Sequence, residues 1–431
     1  MSDSFVIIGD GIAGSSAAET IREDAPDADV TVITDEGEAL YNRILIKEFA
    51  KGKLPEAPIS IHEEDWYAER DIDLSLNTFV TDVDVDAHEV HTHDSGTFEY
   101  DKLLVATGGT PANLSSFGIE NADAEGIHHF WTFQDARKIQ QHASEAETGV
   151  VVGAGLLGID LAAVCAAQGV DAKYIMRGNR WWRYGLSLDG AEIIHDALEE
   201  KGVEPVLESG VERFETDEDG HVVSTVDAND ETFDSEFVGV AIGLDFNTEY
   251  LQGTGIEEDE GIVVDQYMQT NVEDVYAAGD ITRYYDVILD EYAQNGSWGS
   301  AKEQGQIAAK NMVADTVASE TQRADGEAVD AETESFRWVS SYSITHFDFP
   351  FLSFGFPTLG DDECERKYSD TEWRRLAFKD GKLIGGVLIG DIAPQGKYKD
   401  LIRREVEVAD QKEVLLEKDF DPEKLAIPQE Q

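Results

Sequence analysis

The sequence predicts an α/β protein with two doubly wound, Rossmann-like parallel sheets, because one glycine motif occurs twice in the same setting. The pattern Gly-x-Gly-x-x-Gly begins at Gly9 and again at Gly153, each time after an apolar strand-like run and before a helix-like run. The first glycine allows a tight turn, the second lets backbone approach a pyrophosphate, and the third lets helix and strand pack closely. The six motif glycines are Gly9, Gly11, Gly14, Gly153, Gly155 and Gly158. Two dinucleotides in one chain indicate electron transfer between them.

The residue that follows the second strand of each unit predicts the type of dinucleotide. Asp35 lies about 20 residues past the first motif, where a carboxylate accepts a hydrogen bond from an unphosphorylated adenosine ribose. Arg177 occupies the same place in the second unit, and Arg180 follows closely. A guanidinium can bind a 2′-phosphate bidentately, so we expect the second unit to favour NADPH. The alternative is that both arginines are exposed loop residues that contact nothing.

Further segments extend the pattern in a fixed order. Residues 101–109 and 237–243 are apolar strands that end in small-residue turns, residues 276–280 form a strand that ends in an acid, and residues 296–312 form a glycine-bearing loop that opens a helix. With these segments the chain resembles the FAD-dependent pyridine nucleotide–disulfide oxidoreductase superfamily. Within this superfamily, residues 41–47 make the chain most similar to rubredoxin and ferredoxin reductases and to the FAD/NAD(P)H portion of the nitrite reductase large subunit.

The resemblance implies a role for each matching residue. It implies that FAD is bound by Gly9, Gly11, Gly14, Asp35, Arg43, Lys47, Val80, Thr107, Gly108, Asp280 and Trp298. It implies that NADPH or NADH is bound by Gly153, Gly155, Gly158, Arg177 and Arg180. Asp280 would bond the ribityl chain, and Trp298 would begin a helix whose positive end faces the pyrimidine edge of the flavin. Lys47 and Asp160 would be the catalytic residues, since many family members carry a glutamate near the nicotinamide at the position of Asp160.

The resemblance also implies a discontinuous domain order, with the second dinucleotide-binding domain inserted in the first. The predicted domains are an FAD-binding domain at 1–113 and 249–318, an NAD(P)H-binding domain at 114–248, and a small α+β C-terminal domain at 336–408. The last would cover the flavin or mediate contacts in a homodimer.

Local composition predicts the remaining C-terminal features. The pair Asp380-Gly381 predicts a hairpin turn between two strands. Residues 314–335 lack apolar periodicity and predict a surface linker. Residues past Ala409 predict a charged, partly mobile tail.

The charge balance excludes some function classes. The 431 residues include 90 Asp and Glu against 33 Lys and Arg, for a net charge of −57, so we expect no nucleic-acid binding. Because the acids are spread along the chain, the composition favours a halophilic protein in a high-salt cytoplasm. We expect no secretory signal, because no basic region precedes the first strand, and no membrane-spanning helix.

The cysteines and histidines bear on whether the protein has a redox disulfide or a metal site. Cys165 and Cys364 are the only cysteines, and they form no Cys-x-x-Cys motif, so we expect no redox disulfide. His88, His91 and His93 lie close together but precede an exposed turn, and we expect no metal site there.

Together these observations predict an FAD-dependent NAD(P)H:acceptor oxidoreductase whose electrons leave for an external acceptor. The resemblance points to a ferredoxin- or rubredoxin-like protein as that acceptor. The alternatives are an NAD(P)H oxidase or quinone reductase, and a flavin-binding protein that senses redox state.

Overall fold

The chain forms two compact units in the computed structural model, which describes residues 2–325 and 333–426. Unit 1 comprises Met1–Asn42, Ser60–Thr110 and Phe246–Ser340. Unit 2 comprises Arg43–Ile59, Pro111–Asp245 and Ser341–Gln431. The α/β fold class is confirmed, while the predicted domain boundaries stay a prediction. Among the described residues, no helix is both long enough and apolar enough to cross a membrane.

Helices alternate with strands around the two glycine motifs, and longer runs of strands occur elsewhere in the chain. In chain order, the described α-helices are α1 (Ile12–Asp24), α2 (Ile46–Ala50), α3 (Glu64–Ala68), α4 (Phe133–Ala143), α5 (Leu156–Gln168), α6 (Leu188–Glu199), α7 (Trp298–Asp325), α8 (Gln395–Arg403) and α9 (Lys412–Leu415). The described strands are β1 (Ser4–Ile8), β2 (Asp29–Ile33), β3 (Ile72–Ser75), β4 (Val80–Asp84), β5 (Glu89–Thr92), β6 (Thr97–Glu99), β7 (Lys102–Val105), β8 (Thr110–Pro111), β9 (Ile127–His129), β10 (Thr148–Val152), β11 (Asp171–Ile175), β12 (Val203–Val206), β13 (Val211–Thr216), β14 (Val222–Asp227), β15 (Thr232–Asp234), β16 (Phe237–Val240), β17 (Leu244–Asp245), β18 (Ile262–Val264), β19 (Val275–Ala277), β20 (Thr282–Asp286), β21 (Glu291–Ala293), β22 (Ser341–Ile344), β23 (Phe351–Gly355), β24 (Asp362–Ser369), β25 (Glu372–Lys379) and β26 (Lys382–Ile389).

The main sheet of unit 1 is parallel and has the strand order β19-β7-β1-β2-β3. Its central strand β1 is apolar and buried from Phe5 to Ile8, as expected for a parallel strand that is covered on both faces. Helix α1 follows β1 through the first glycine motif and packs against α7. The approach is close, because a Cβ placed on Gly305 of α7 would lie 2.1 Å from the carbonyl oxygen of Ala13.

The main sheet of unit 2 repeats this design, with the parallel order β12-β11-β10-β16-β9. Strand β10 and helix α5 lie 144 residues after β1 and α1 at both ends (148 − 4 and 168 − 24). The predicted duplication of a strand, a glycine turn and a helix is therefore present in the structure.

The C-terminal part of unit 2 contains an antiparallel sheet with the order β22-β23-β26-β25-β24. The predicted hairpin joins β25 to β26 and is confirmed, since Lys379 pairs with Lys382 across the two-residue turn. Asp380 and Gly381 have φ angles of +50° and +79°, the left-handed pair that a tight hairpin turn needs.

The linker predicted for residues 314–335 is wrong in its first part, because α7 continues to Asp325. Residues 326–332 of that prediction lie outside the described residues. The helix is held past residue 314 by packing, with Thr316 and Ala318 buried, and by an ion pair from the buried Lys102 to Asp315. Both the packing and the ion pair depend on segments that are distant in sequence, so the local composition could not predict the longer helix.

The mobile tail predicted after Ala409 is wrong as far as residue 426, and residues 427–431 lie outside the described residues. The segment forms the 3₁₀ turn Ala409–Gln411, then α9, then the 3₁₀ turn Pro422–Lys424. Leu415, Leu416 and Phe420 are buried. The fully buried Arg374 donates to the carbonyl oxygens of Glu417 and Lys418 at 3.1 and 3.2 Å, which fixes the segment against the antiparallel sheet.

Candidate functional site

The first glycine motif forms a cradle for an anion in unit 1. Gly9 has φ +110°, and a Cβ there would lie 2.3 Å from the carbonyl oxygen of Ala106 on the neighbouring strand turn. A Cβ on Gly14 would lie 1.9 Å from the carbonyl oxygen of Gly9. A Cβ on Gly11, in contrast, would meet nothing within 4 Å, so the backbone before α1 faces open space. This combination of tight packing and an open helix N-terminus fits a bound dinucleotide pyrophosphate.

The second motif has the same geometry in unit 2. Gly153 has φ +114°, and a Cβ there would lie 1.9 Å from the carbonyl oxygen of Ala241. A Cβ on Gly158 would lie 2.1 Å from the carbonyl oxygen of Gly153, whereas one on Gly155 would meet nothing within 4 Å. The residues of unit 2 therefore fit a second dinucleotide in the same way.

A buried carboxyl group lies inside the first motif. Tyr67 donates a hydrogen bond of 2.7 Å to Oδ1 of Asp10, and the hydroxyl of Ser15 lies 3.0 Å from that of Tyr67. Oδ2 of Asp10 is buried and has no hydrogen-bond partner among the described residues. Burial raises the pKa of Asp10 to about 7, against the hydrogen bond from Tyr67, which lowers it. Sequence reasoning missed this group, although an acid within an anion-binding motif was a usable signal.

The other residues assigned to FAD are spread over several elements. In unit 1, Asp35 is exposed two residues after β2, and the Thr107 hydroxyl lies 3.3 Å from that of Tyr250. The further unit 1 positions are the following: Val80 is the buried first residue of β4, Gly108 has φ +65°, Asp280 comes three residues after β19, and Trp298 begins α7. Arg43 belongs to unit 2, where it donates a 2.8 Å hydrogen bond to the carbonyl oxygen of Trp131.

The two residues predicted to be catalytic meet in unit 2. Nζ of Lys47, in α2, lies 3.5 Å from Oδ1 of Asp160, in α5, and both side chains are largely buried. Tyr342 donates a 3.0 Å hydrogen bond to Oδ2 of Asp160, and Nε2 of His346 bonds Oδ1. Burial works to raise the pKa of Asp160, but the hydrogen bond from His346 and the charge of Lys47 hold it below the usual value. Asp160 is therefore held as a carboxylate.

The cluster around Asp160 includes residues that sequence reasoning missed. The sequence assigned no role to Tyr342, His346 or Lys51. Lys51 follows α2, and its Nζ lies 2.9 Å from Nδ1 of His346. Since these contacts join positions up to 295 residues apart, the sequence contained no local signal for them.

The two arginines assigned to the adenosine phosphate differ. Arg177 is exposed two residues after β11. The guanidinium of Arg180 donates to the carbonyl oxygens of Leu186 and Arg183, at 2.7 and 2.9 Å, and to Oδ1 of Asn179 at 2.9 Å. The alternative in which both arginines contact nothing is therefore wrong for Arg180, which closes its own loop.

Neither cysteine is in a reactive state. Burial raises the pKa of both Cys165, on the buried side of α5, and Cys364, on β24, to about 12. Both are free thiols. Within residues 2–325 and 333–426, no group of three or more His, Cys, Asp or Glu side chains is arranged to hold a metal ion.

Comparison with known proteins adds the family context. The family model described as pyridine nucleotide-disulphide oxidoreductase matches residues 3–305. The chain is 31% identical over 316 residues to an NADH oxidase of Methanocaldococcus jannaschii, covering 71% of this chain and 69% of the relative. It is 25% identical over 409 residues to the nitrite reductase [NAD(P)H] of Bacillus subtilis, covering 94% of this chain but only about half, 48%, of the relative. Among solved structures, a ferredoxin reductase from Rhodopseudomonas palustris shares the fold, with a TM-score of 0.86, 20% identity and coverage of 97% and 98% of the two chains.

Proposed function

The chain belongs to the pyridine nucleotide-disulphide oxidoreductase family, as an FAD-dependent NAD(P)H oxidoreductase, and we propose that it delivers electrons from NAD(P)H to a ferredoxin- or rubredoxin-like carrier protein. The observation that carries the proposal is the duplicated dinucleotide cradle together with the buried Lys47–Asp160 pair. A carrier as acceptor is supported by the 28% identity over 313 residues to a ferredoxin--NAD(+) reductase component of Photorhabdus laumondii.

We propose that FAD binds unit 1 and NAD(P)H binds unit 2. In unit 1 the acid Asp35 suits an unphosphorylated ribose, and Asp280, after the last strand of the sheet, suits the ribityl hydroxyls. In unit 2 the exposed guanidinium of Arg177 suits a 2′-phosphate. The helix N-termini at Gly11 and Gly155 offer backbone amides to the two pyrophosphates.

The proposed cofactor FAD would supply the capacity to take a hydride from NAD(P)H and to pass electrons on one at a time. The residues of this chain align and stabilise the reactants. The carboxylate of Asp160 holds the Lys47 side chain in place, because a buried ammonium needs an anionic partner. A fixed ammonium of this kind stabilises negative charge that develops nearby. Because burial raises the pKa of both thiols to about 12, we expect no cysteine to take part in electron transfer.

A second candidate is an NAD(P)H oxidase, which the 31% identity to the NADH oxidase of Methanocaldococcus jannaschii favours. Turnover measured with each acceptor separately distinguishes the carrier reductase from the oxidase. The purified protein is mixed with NADPH or NADH, first with ferredoxin or rubredoxin under argon and then with oxygen alone. The proposal expects much faster reduction of a carrier than of oxygen, and the Asp160→Asn variant should be slow while still containing FAD. Faster turnover with oxygen than with any carrier would establish the oxidase.

We also propose that the protein works in a cytoplasm of high ionic strength. The net charge of −57 is spread over both units, so its self-repulsion needs screening by salt.

A further inference from the structure

A chain of four polar side chains crosses the interior of unit 2. Lys47 contacts Asp160, Asp160 bonds His346, and His346 bonds Lys51. The side chains of Asp160 and His346 are 4% and 2% exposed, and those of Lys47 and Lys51 are 12% and 2% exposed. Lys47 lies in the first turn of α2 and Lys51 directly follows its last residue, so one short segment supplies both ends of the chain.

The partners of His346 determine which ring nitrogen carries the proton. The ammonium of Lys51 has donors only, so Nδ1 of His346, at 2.9 Å, must accept. The hydrogen of the neutral ring is then on Nε2, which donates it to the carboxylate of Asp160. Hydrogen bonds therefore run in one direction, from Lys51 through His346 to Asp160. Burial lowers the pKa of Lys51, and Glu48, which accepts a second hydrogen bond from that amine, acts against this shift and favours the ammonium form.

The charges around the ring balance only when the ring is neutral. The groups around it are Lys47 and Lys51 from the α2 segment, Asp160 from α5, Tyr342 from β22, and Glu48, which pairs with Lys51. Two ammonium groups and two carboxylates cancel. A proton added to Nδ1 would remove the acceptor for Lys51 and place two buried cations in contact, which is costly.

We propose that His346 is a positioning residue for the Lys47–Asp160 pair, held by Lys51 as the neutral Nε2–H tautomer so that Asp160 stays ionised and directed at Lys47. The inference rests on the proposed function, in which that pair serves the transfer from NAD(P)H. It adds two residues, His346 and Lys51, to those that prepare the site. Burial lowers the pKa of His346, with Lys51 and Lys47 acting in the same direction against Asp160, so the neutral ring persists into mildly acidic solution.

The first test needs no turnover. Nitrogen NMR of protein labelled with ¹⁵N-histidine reports the tautomer of each ring, and the His346 signals are identified by their loss in His346→Gln. We expect the Nε2–H tautomer, unchanged when the pH falls from 8 to about 5.5, a pH at which an ordinary histidine is already mostly charged. An Nδ1–H tautomer, or titration with the midpoint of an ordinary exposed histidine, would overturn the proposal.

The second test measures the reduction of bound FAD by NAD(P)H in a stopped-flow instrument. His346→Leu should slow reduction about tenfold, the effect of one lost charge-assisted hydrogen bond. His346→Gln should recover most of the rate, because its amide can donate to Asp160 and accept from Lys51. The control is His129→Leu, a half-buried histidine outside the cluster, which should reduce at the wild-type rate with the same FAD content.

The two levels of inference fail differently. If wild-type FAD is not reduced by either nucleotide, the proposed function is wrong, while the tautomer of His346 still tests the geometry. If FAD is reduced normally and His346→Leu matches wild type, the positioning role is wrong and the function stands.

Discussion

The phenol of Tyr67 donates to one carboxylate oxygen of Asp10, while the other oxygen of the same carboxyl is buried without a partner among the described residues. Between its unfolded and folded pKa values, Asp10 therefore carries a proton in the folded chain that it lacks in the unfolded chain. Its pKa is raised to about 7 by burial, with Glu36 adding in the same direction. A group whose pKa is higher in the folded chain adds stability below its unfolded pKa, and that stability is lost as the pH rises through the folded value.

We therefore predict that, because of Asp10, the free energy of unfolding falls as the pH rises from about 4 to about 7. In Asp10→Asn this fall should be smaller. At pH 8 the free energy of unfolding of the variant should exceed that of wild type by at most a few kcal/mol, since one pKa unit corresponds to about 1.4 kcal/mol. Urea unfolding at constant salt measures this, with the exposed Asp24→Asn as control. Parallel pH profiles for wild type and Asp10→Asn would contradict it.

Asp35 and Arg177 occupy equivalent positions after equivalent strands, so nucleotide choice has an internal reference. We predict that Arg177→Ala lowers kcat/KM for NADPH about ten- to a hundredfold and leaves NADH nearly unchanged, because a charge-assisted contact contributes about 1.5–3 kcal/mol. Arg177→Glu should go further by repelling the phosphate. Arg180→Ala should impair both nucleotides, because its guanidinium holds the loop. Steady-state kinetics with both nucleotides decide, and an unchanged preference in Arg177→Ala would make that arginine a bystander.

Cofactor retention should separate the two units. We predict that Asp280→Ala loses FAD on gel filtration while Asp160→Ala keeps it, because only Asp280 is assigned to the FAD of unit 1. The ratio of flavin absorbance to protein absorbance measures the loss. Equal retention in the two variants would show that this assignment of the sites is mistaken.

Electron transfer should not need a thiol. We predict that replacing Cys165 by Ala and Cys364 by Ser leaves carrier reduction within a few-fold of wild type, since both thiols are protonated at neutral pH. The double variant is assayed alongside wild type at matched FAD content. A collapse of turnover with flavin still bound would place a thiol on the pathway.

Stability should depend strongly on salt. We predict that the melting temperature rises with KCl up to molar concentrations, because the Debye length shortens from about 30 Å at 0.01 M to about 3 Å at 1 M. Differential scanning fluorimetry over a KCl series tests this, and a melting temperature that ignores salt would contradict the halophilic assignment.

The sequence predicts features whose signals are local and repeated. The glycine turns at Gly9 and Gly153 and the hairpin at Asp380-Gly381 depend on backbone angles that few residues adopt, so the residue types reveal them. The resemblance gave Lys47 and Asp160 catalytic roles, but it did not predict the contact between them. Their further partners could not be predicted, because Tyr342 and His346 reach Asp160 from positions 182 and 186 residues away.

The same limit explains the two errors after residue 313. Ala, Glu and Thr in residues 314–325 suit either an exposed coil or a helix. The helix is favoured by the ion pair between Asp315 and Lys102, which comes from another part of unit 1. Likewise, the charges after Ala409 suggested a tail, whereas three buried apolar side chains and the carbonyl acceptors for Arg374 fix the segment.

The anchoring of residues 417 and 418 by Arg374 has a practical consequence for protein engineering. A truncation placed at the end of α8 would remove two of the acceptors of a guanidinium that has no access to water, leaving mainly Asp391 at 2.8 Å to compensate it. Such a shortened chain should express poorly or aggregate, although the cut lies outside both dinucleotide cradles. An affinity tag or fusion partner is better joined beyond residue 426, where it leaves the buried end of the segment intact.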